Sequence, residues 1–305
     1  MSSILLLFLC LFIGIGLQKV RNFPKNTAVV LNQYILYVAL PAMALYYLPK
    51  ITLSWDLLLP ASVAWIAFGL SYLLFSFLGK HYGWSKKLTG CLIITSGLGN
   101  TSFVGIPVVE ALYGKEALKT LIIIDLPGTF VVLSTVGVLI ATLYSNQKKE
   151  ESSIIKKIVS FPPLIAFGIG FLMILIQIDF PSVFSDSLQQ LAATLSPVAL
   201  ISVGFQLKFK AYSKHFKFLA LGLAFQLLIL PAVILCLFYF VLGKSDLATR
   251  VSIIEAAMAP MITGTILASN YGLKPELSNM MVGFGIPISF ITLAGWYFLI
   301  EYLVV

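Results

Sequence analysis

Charge is what this chain has least of. It carries 20 basic and 12 acidic residues among 305, about a tenth of the chain where a soluble domain carries about a quarter. That scarcity excludes an ordinary cytosolic enzyme. Cysteine is as sparse: Cys10, Cys91 and Cys236 each lie in an apolar run without CxxC spacing, which argues against a disulfide framework or a cysteine metal site. The two histidines, His81 and His215, sit beside lysines in polar connectors, the setting of solvated loop residues rather than metal ligands. No HExxH, GxSxG or Walker-type pattern occurs, so hydrolytic and nucleotide-driven chemistry has no visible support. Neither a resident metal nor an organic cofactor is expected, and an enzyme is not.

What fills the space is apolar. Hydrophobic residues make up 59% of the chain, with 23 Phe, 13 Tyr and 4 Trp, and the mean hydropathy is +1.00. Such a surface needs a solvent as apolar as its core, and that partner is the lipid bilayer. A net charge of +8 would suggest nucleic acid in a soluble protein. Here the basic residues form short clusters between apolar runs, where they orient spans, and no nucleic-acid partner is expected.

A bilayer core takes about 20 helical residues, and ten apolar stretches of suitable size are present: 3–18, 27–48, 57–79, 88–113, 117–144, 162–178, 188–207, 216–242, 247–270 and 277–303. The first has no preceding basic residue and reads as a retained helix rather than a cleaved signal. Fourteen of the 20 Lys and Arg fall in connectors after odd-numbered spans, and Lys217, at the second position of span 8, adjoins one of them as the fifteenth. By the positive-inside rule those connectors are cytoplasmic and both termini lie outside. The expected membrane is the plasma membrane, a bacterial inner membrane.

The most polar connector, around Ser145 to Lys157, divides the spans five and five: a first repeat 1–145, a cytoplasmic linker 146–157 and a second repeat 158–305. Five is odd, so likeness between the halves implies an inverted repeat. Pro41 in LNQYILYVALPAMAL and Pro197 in LQQLAATLSPVALI occupy nearly the same offset in spans 2 and 7, and Tyr113-Gly114 and Tyr271-Gly272 close spans 4 and 9.

Spans 4 and 9 are also where a helix is hardest to maintain. Span 4 concentrates Gly97, Gly99, Gly105 and Pro107 around the polar trio Asn100, Thr101 and Ser102. One half-helix should end near Gly99 and another begin just beyond it, the trio supplying caps. Span 9 should break around Pro260 and resume after Thr263, Gly264 and Thr265. Bare backbone at membrane depth needs protein or a water-filled cavity around it, and half-helix N-termini there suit an anion such as a carboxylate. Acidic residues inside spans are costly. Asp125, before Pro127-Gly128, and Glu255, before Pro260, are therefore expected to face the cavity, protonated or holding a coupling cation. Glu110 is placed toward the interface near Lys115 and Lys119, Glu301 at the interface, and Trp55, Trp65, Trp84 and Trp296 as interface anchors and packing groups.

The stretches GNTSFVGIPVVEALYG in span 4 and EAAMAPMITGTILASNYGLKPEL in span 9 resemble the two signature regions of the auxin efflux carrier family. LPAMAL, LSPVALISVGFQL and VGFGIPISFITLAGWYFL extend the likeness over almost the whole chain, and the short central loop resembles bacterial members. The resemblance implies an all-α fold of ten helices in a 5+5 inverted repeat. Spans 1, 2, 6 and 7 would form a scaffold and homodimer interface, and spans 3–5 and 8–10 a transport domain in which broken spans 4 and 9 cross. It implies that Asn100 contacts a substrate carboxylate, although Gly99 stands where plant members have Pro and Pro260 is one residue later than theirs. The expectation is a secondary carrier of a small carboxylate, moved by an elevator-like or rocking displacement and coupled to H+ or Na+. Gly105, Pro260 and Met261 join Asn100, Thr101, Ser102, Thr263, Gly264 and Thr265 as substrate-site candidates. A membrane ligand sensor is the competing class.

Overall fold

The computed structural model describes residues 2–24, 26–52, 54–145, 162–206 and 215–304. The expected linker 146–157 lies outside the described residues. In chain order the helices are α1 Ser2–Leu17, α2 Thr27–Lys50, α3 Leu58–His81, α4 Lys86–Gly97, α5 Thr101–Tyr113, α6 Ala117–Tyr144, α7 Pro162–Ile176, α8 Ser182–Gln206, α9 Phe216–Val241, α10 Leu247–Ala256, α11 Ile262–Asn270 and α12 Pro275–Leu303. Among the described residues there is no strand beyond one isolated bridge. Helices α2, α3, α6, α8, α9 and α12 are each long and apolar enough to cross a membrane, while α5, α7 and most of α1 are shorter apolar helices.

Most bounds fall close to those read from hydropathy, and α6 coincides with the expected 117–144. Helix α8 differs: it begins at Ser182, six residues before the expected 188. Its opening, Ser182–Ala193, carries four polar residues in its first six positions, which dilute the apolar signal without hindering the helix. Extended Pro181 precedes it, where a missing N–H costs nothing.

Three prolines within the helices share a solution. Pro41, Pro107 and Pro231 each take the second position of an α-helical segment that follows a π-helical turn, at 35–39, 101–105 and 225–229. A proline ring collides with the carbonyl four residues back and gives it no N–H. Widening the turn to i→i+5 bonding moves that carbonyl aside, so the helix continues. Pro127 sits inside a π turn of its own, 124–130, beside Asp125.

The chain packs as two compact units. The first gathers Met1–Leu57, Ser102–Ile122 and Glu151–Leu207. Within it α1 runs against α8 at Gly14 and Gly204, each so near the opposite backbone that a side chain has no room, the small-residue approach typical of helices in lipid. Gln18 donates to the Gly204 carbonyl at 2.8 Å, and the Ser202 hydroxyl to Asn32 at 2.5 Å.

The second unit gathers Leu58–Thr101, Ile123–Glu150 and Lys208–Val305. Its core is continuous from Phe68 and Phe75 on α3 through Leu92, Ile93 and Leu98 to Phe225 on α9 and Met281 on α12. Outside that core, Leu73, Phe77, Ile291 and Phe298 are exposed, an apolar surface suited to lipid. Trp296 donates its indole N–H to the Leu227 carbonyl at 2.8 Å, whereas Trp55 of the first unit is exposed.

Candidate functional site

Helix α4 ends at Gly97, and Leu98 turns extended with φ −127° and ψ 115°. Helix α10 ends at Ala256, and extended Met261, φ −67° and ψ 126°, leads into α11. These two interruptions meet each other inside the second unit. The Asn100 N–H donates to the Ala259 carbonyl at 2.8 Å and the Met261 N–H to the Leu98 carbonyl at 2.9 Å, around an antiparallel bridge between Gly99 and Pro260. Pro260 occupies the pair that exchanges no hydrogen bonds, so its missing N–H leaves no gap. Backbone groups released by one break are thus satisfied by the other, which buried chain requires.

Polar side chains collect on this pairing. The Thr101 hydroxyl donates to Asp125 Oδ1 across to the π turn of α6. Asp125 and Glu255 are each 2% exposed. Neither carboxylate oxygen of Glu255 meets a hydrogen-bond donor among the described residues, and Asp125 lies within electrostatic reach of it. Two acids buried together need a proton or a cation between them, because uncompensated charge at this depth costs several kcal/mol. Thr265 Oγ1 is likewise buried with no partner among the described residues.

Asn100, Thr101, Asp125, Glu255, Pro260, Met261, Thr263, Gly264 and Thr265 all belong to this unit, whereas Ser102 and Gly105 fall in the first. One expectation is corrected: α11 begins at Ile262, so Thr263, Gly264 and Thr265 form its opening turn instead of preceding it. The start is set by Met261, whose N–H is spent on Leu98 and whose carbonyl accepts the Thr265 N–H at 3.0 Å.

Glu110 lies in the first unit and accepts a hydrogen bond from Ser196 at 2.6 Å, beside a cavity of about 20 Å³ that Tyr47, Lys115 and Gln189 also line. That space holds about one water. Lys119 pairs with Glu116 at 2.8 Å, and Glu301 faces Arg250 at 3.6 Å. Among the described residues no cluster of three His, Cys, Asp or Glu could hold a metal ion.

Gln226 was missed by sequence reasoning. It is fully buried on α9 and its Nε2 donates to the Leu98 carbonyl at 3.1 Å and the Met258 carbonyl at 3.2 Å. The signal was available: a lone amide in the apolar run FQLLILP must find partners once buried.

A profile of the membrane transport protein family matches residues 1–297. An uncharacterized transporter of Methanocaldococcus jannaschii is 26% identical over 306 residues, covering 97% of this chain and 98% of its own. Another uncharacterized transporter, from Methanothermobacter thermautotrophicus, is 26% identical over 297 residues, covering 97% of this chain and 96% of its own. A probable auxin efflux carrier component 5a of Oryza sativa subsp. japonica is 30% identical over 128 residues, 41% of this chain and 35% of its own.

Proposed function

We propose, from the premise that this chain belongs to the membrane transport protein family, the family of the auxin efflux carriers, that it is a secondary carrier of a small organic anion. The class taken is a mono- or dicarboxylate such as malate, malonate or an auxin-like acid, and the mode is alternating access. One observation carries the reading: two helix interruptions, one in each half of the chain, are buried and hydrogen-bonded to each other, with Asn100 in one, Glu255 in the turn before the other, and Asp125 of α6 bonded to Thr101. Such breaks cost helix hydrogen bonds and are retained where their freed ends bind cargo. The opening turn of α11 presents amides and a positive dipole end suited to a carboxylate. Asn100, Thr101, Thr263 and Thr265 supply side-chain contacts, and Asp125 and Glu255 supply proton coupling. The ten-span inverted repeat, with spans 4 and 9 crossing, and a homodimer through spans 1, 2, 6 and 7 belong to the same reading.

Counterflow in proteoliposomes tests it. Liposomes loaded with unlabelled malate, malonate or indole acetate should accumulate the matching labelled acid with wild-type protein and lose accumulation with Asn100→Ala. Accumulation retained in that variant overturns the site. Silence for every carboxylate from folded protein overturns the substrate class and favours the sensor reading.

A sodium-coupled version is favoured by one feature, the carboxylate oxygens of Glu255 in the last turn of α10, which meet no donor among the described residues. Hard oxygen ligands of this kind suit a sodium ion. A melting temperature raised by sodium chloride but not by choline chloride in detergent supports it, and equal curves exclude it.

A further inference from the structure

We infer that Gln226 is the positioning residue of this site: its single amide nitrogen holds the α4 and α10 interruptions in register, so that binding at Asn100 depends on a residue of α9. The inference rests on the carrier reading only for what is bound, because the clamp itself is visible in the hydrogen bonds.

The argument begins with the backbone. When α4 stops at Gly97 and α10 at Ala256, the carbonyls of Leu98 and Met258 lose their helical donors. Leu98 O receives Met261 N–H from the paired segment, but a carbonyl has a second lone pair. Among the described residues no pairing bond reaches Met258 O, whose neighbour Ala259 takes the Asn100 N–H. Gln226 supplies both, at 3.1 and 3.2 Å, and it is 0% exposed. An amide NH₂ has two protons, which matches two acceptors on two different segments. Both partners being carbonyls, the nitrogen and not the oxygen must face them, which fixes the rotamer. Its Oε1 then meets no donor among the described residues, so the side chain forgoes one hydrogen bond of its own to join the two breaks.

Local structure brings it there. Gln226 sits in the π turn 225–229 that precedes Pro231. A π turn shifts the direction of the side chains it carries, and such turns recur at functional sites. The sequence Q-x-x-x-x-P therefore aims a polar side chain at backbone more than a hundred residues away in one direction and about thirty in the other.

Two variants and two readouts test the inference. Gln226→Leu keeps bulk but removes both donors. Gln226→Glu removes them when ionised and restores one when protonated. Hydrogen exchange of the Asn100 and Met261 amides, which needs no substrate, should be slow in wild type and at least about tenfold faster in Gln226→Leu at matched global stability. Binding of labelled malonate or malate by the folded fraction should weaken about tenfold or more in Gln226→Leu. In Gln226→Glu it should recover toward acid pH more steeply than in wild type. Unchanged exchange at those two amides in Gln226→Leu overturns the clamp. Faster exchange with unchanged affinity overturns its role in binding and leaves a structural bond. If wild type itself binds no carboxylate, the carrier reading fails and the exchange arm still decides the clamp.

Discussion

At the scale of single residues, the two buried acids are held differently and should respond differently to substitution. Asp125 accepts the Thr101 hydroxyl, whereas Glu255 has no donor for either oxygen among the described residues. Thr101→Val keeps shape and removes the hydroxyl, so it should cost about 2 kcal/mol, the penalty of a buried acceptor losing its donor. Thr101→Ser should keep most of that stability. Melting curves in detergent check this, and equal curves for Val and wild type would mean that the bond contributes nothing net. Glu255→Gln makes the opposite change, replacing a carboxylate that needs a counter-charge with a neutral group of the same size. Exchange of labelled for unlabelled substrate should persist in that variant, while uphill accumulation driven by an ion gradient should disappear. Gradient-driven accumulation at the wild-type level would remove Glu255 from the coupling step.

At the scale of elements, the interruptions explain what was legible and what was not. Gly97, Gly99 and Pro107 announce the break in span 4, and Pro260 the break in span 9, because a helix breaker acts on its own turn. That Leu98 and Asn100 pair with Met261 and Ala259 was not legible, since the partner lies about 160 residues away and no local rule selects it. For the same reason the restart of α11 at Ile262 was misjudged: low helix propensity at Thr263 and Gly264 yields to a start dictated by Met261. Helix α12 permits a controlled test of how tightly the pairing is packed. A Cβ added at Gly285 would lie 2.5 Å from Cδ of Pro260 and 3.0 Å from Leu223, while one added at Gly295 meets nothing within 4 Å. A proline ring in a paired segment cannot swing aside. Gly285→Ala should therefore destabilise by about 1–3 kcal/mol and weaken substrate binding, whereas Gly295→Ala should be neutral or stabilising by up to about 1 kcal/mol. Equal melting temperatures for the two variants would show that the Pro260 segment yields freely.

At the scale of the whole molecule, membership of a transporter family and six long apolar helices among the described residues fit a multi-pass membrane protein, and composition alone pointed there. Which side each connector faces follows from a different property, the distribution of Lys and Arg, and that distribution makes a prediction that no contact within the protein influences. The connector between α3 and α4 is flanked by Lys80, Lys86 and Lys87, while the connector between α7 and α8 contains Asp179 and no basic residue. Anionic headgroups and the membrane potential retain positive loops on the cytoplasmic side, so these two connectors should face opposite compartments. Both offer an exposed position for a reporter, Tyr82 and Asp179. Cys236 is exposed and must be removed first, whereas Cys10 and Cys91 are buried. In a Cys236→Ser background, Asp179→Cys should react with a membrane-impermeant maleimide in intact cells, and Tyr82→Cys only after permeabilisation. The reverse pattern would invert the assigned orientation and put both termini inside. Labelling of both positions from one side would place an even number of crossings between residues 82 and 179, where the proposed ten-span order requires three, and would overturn that order while leaving the pairing of the two interruptions untouched.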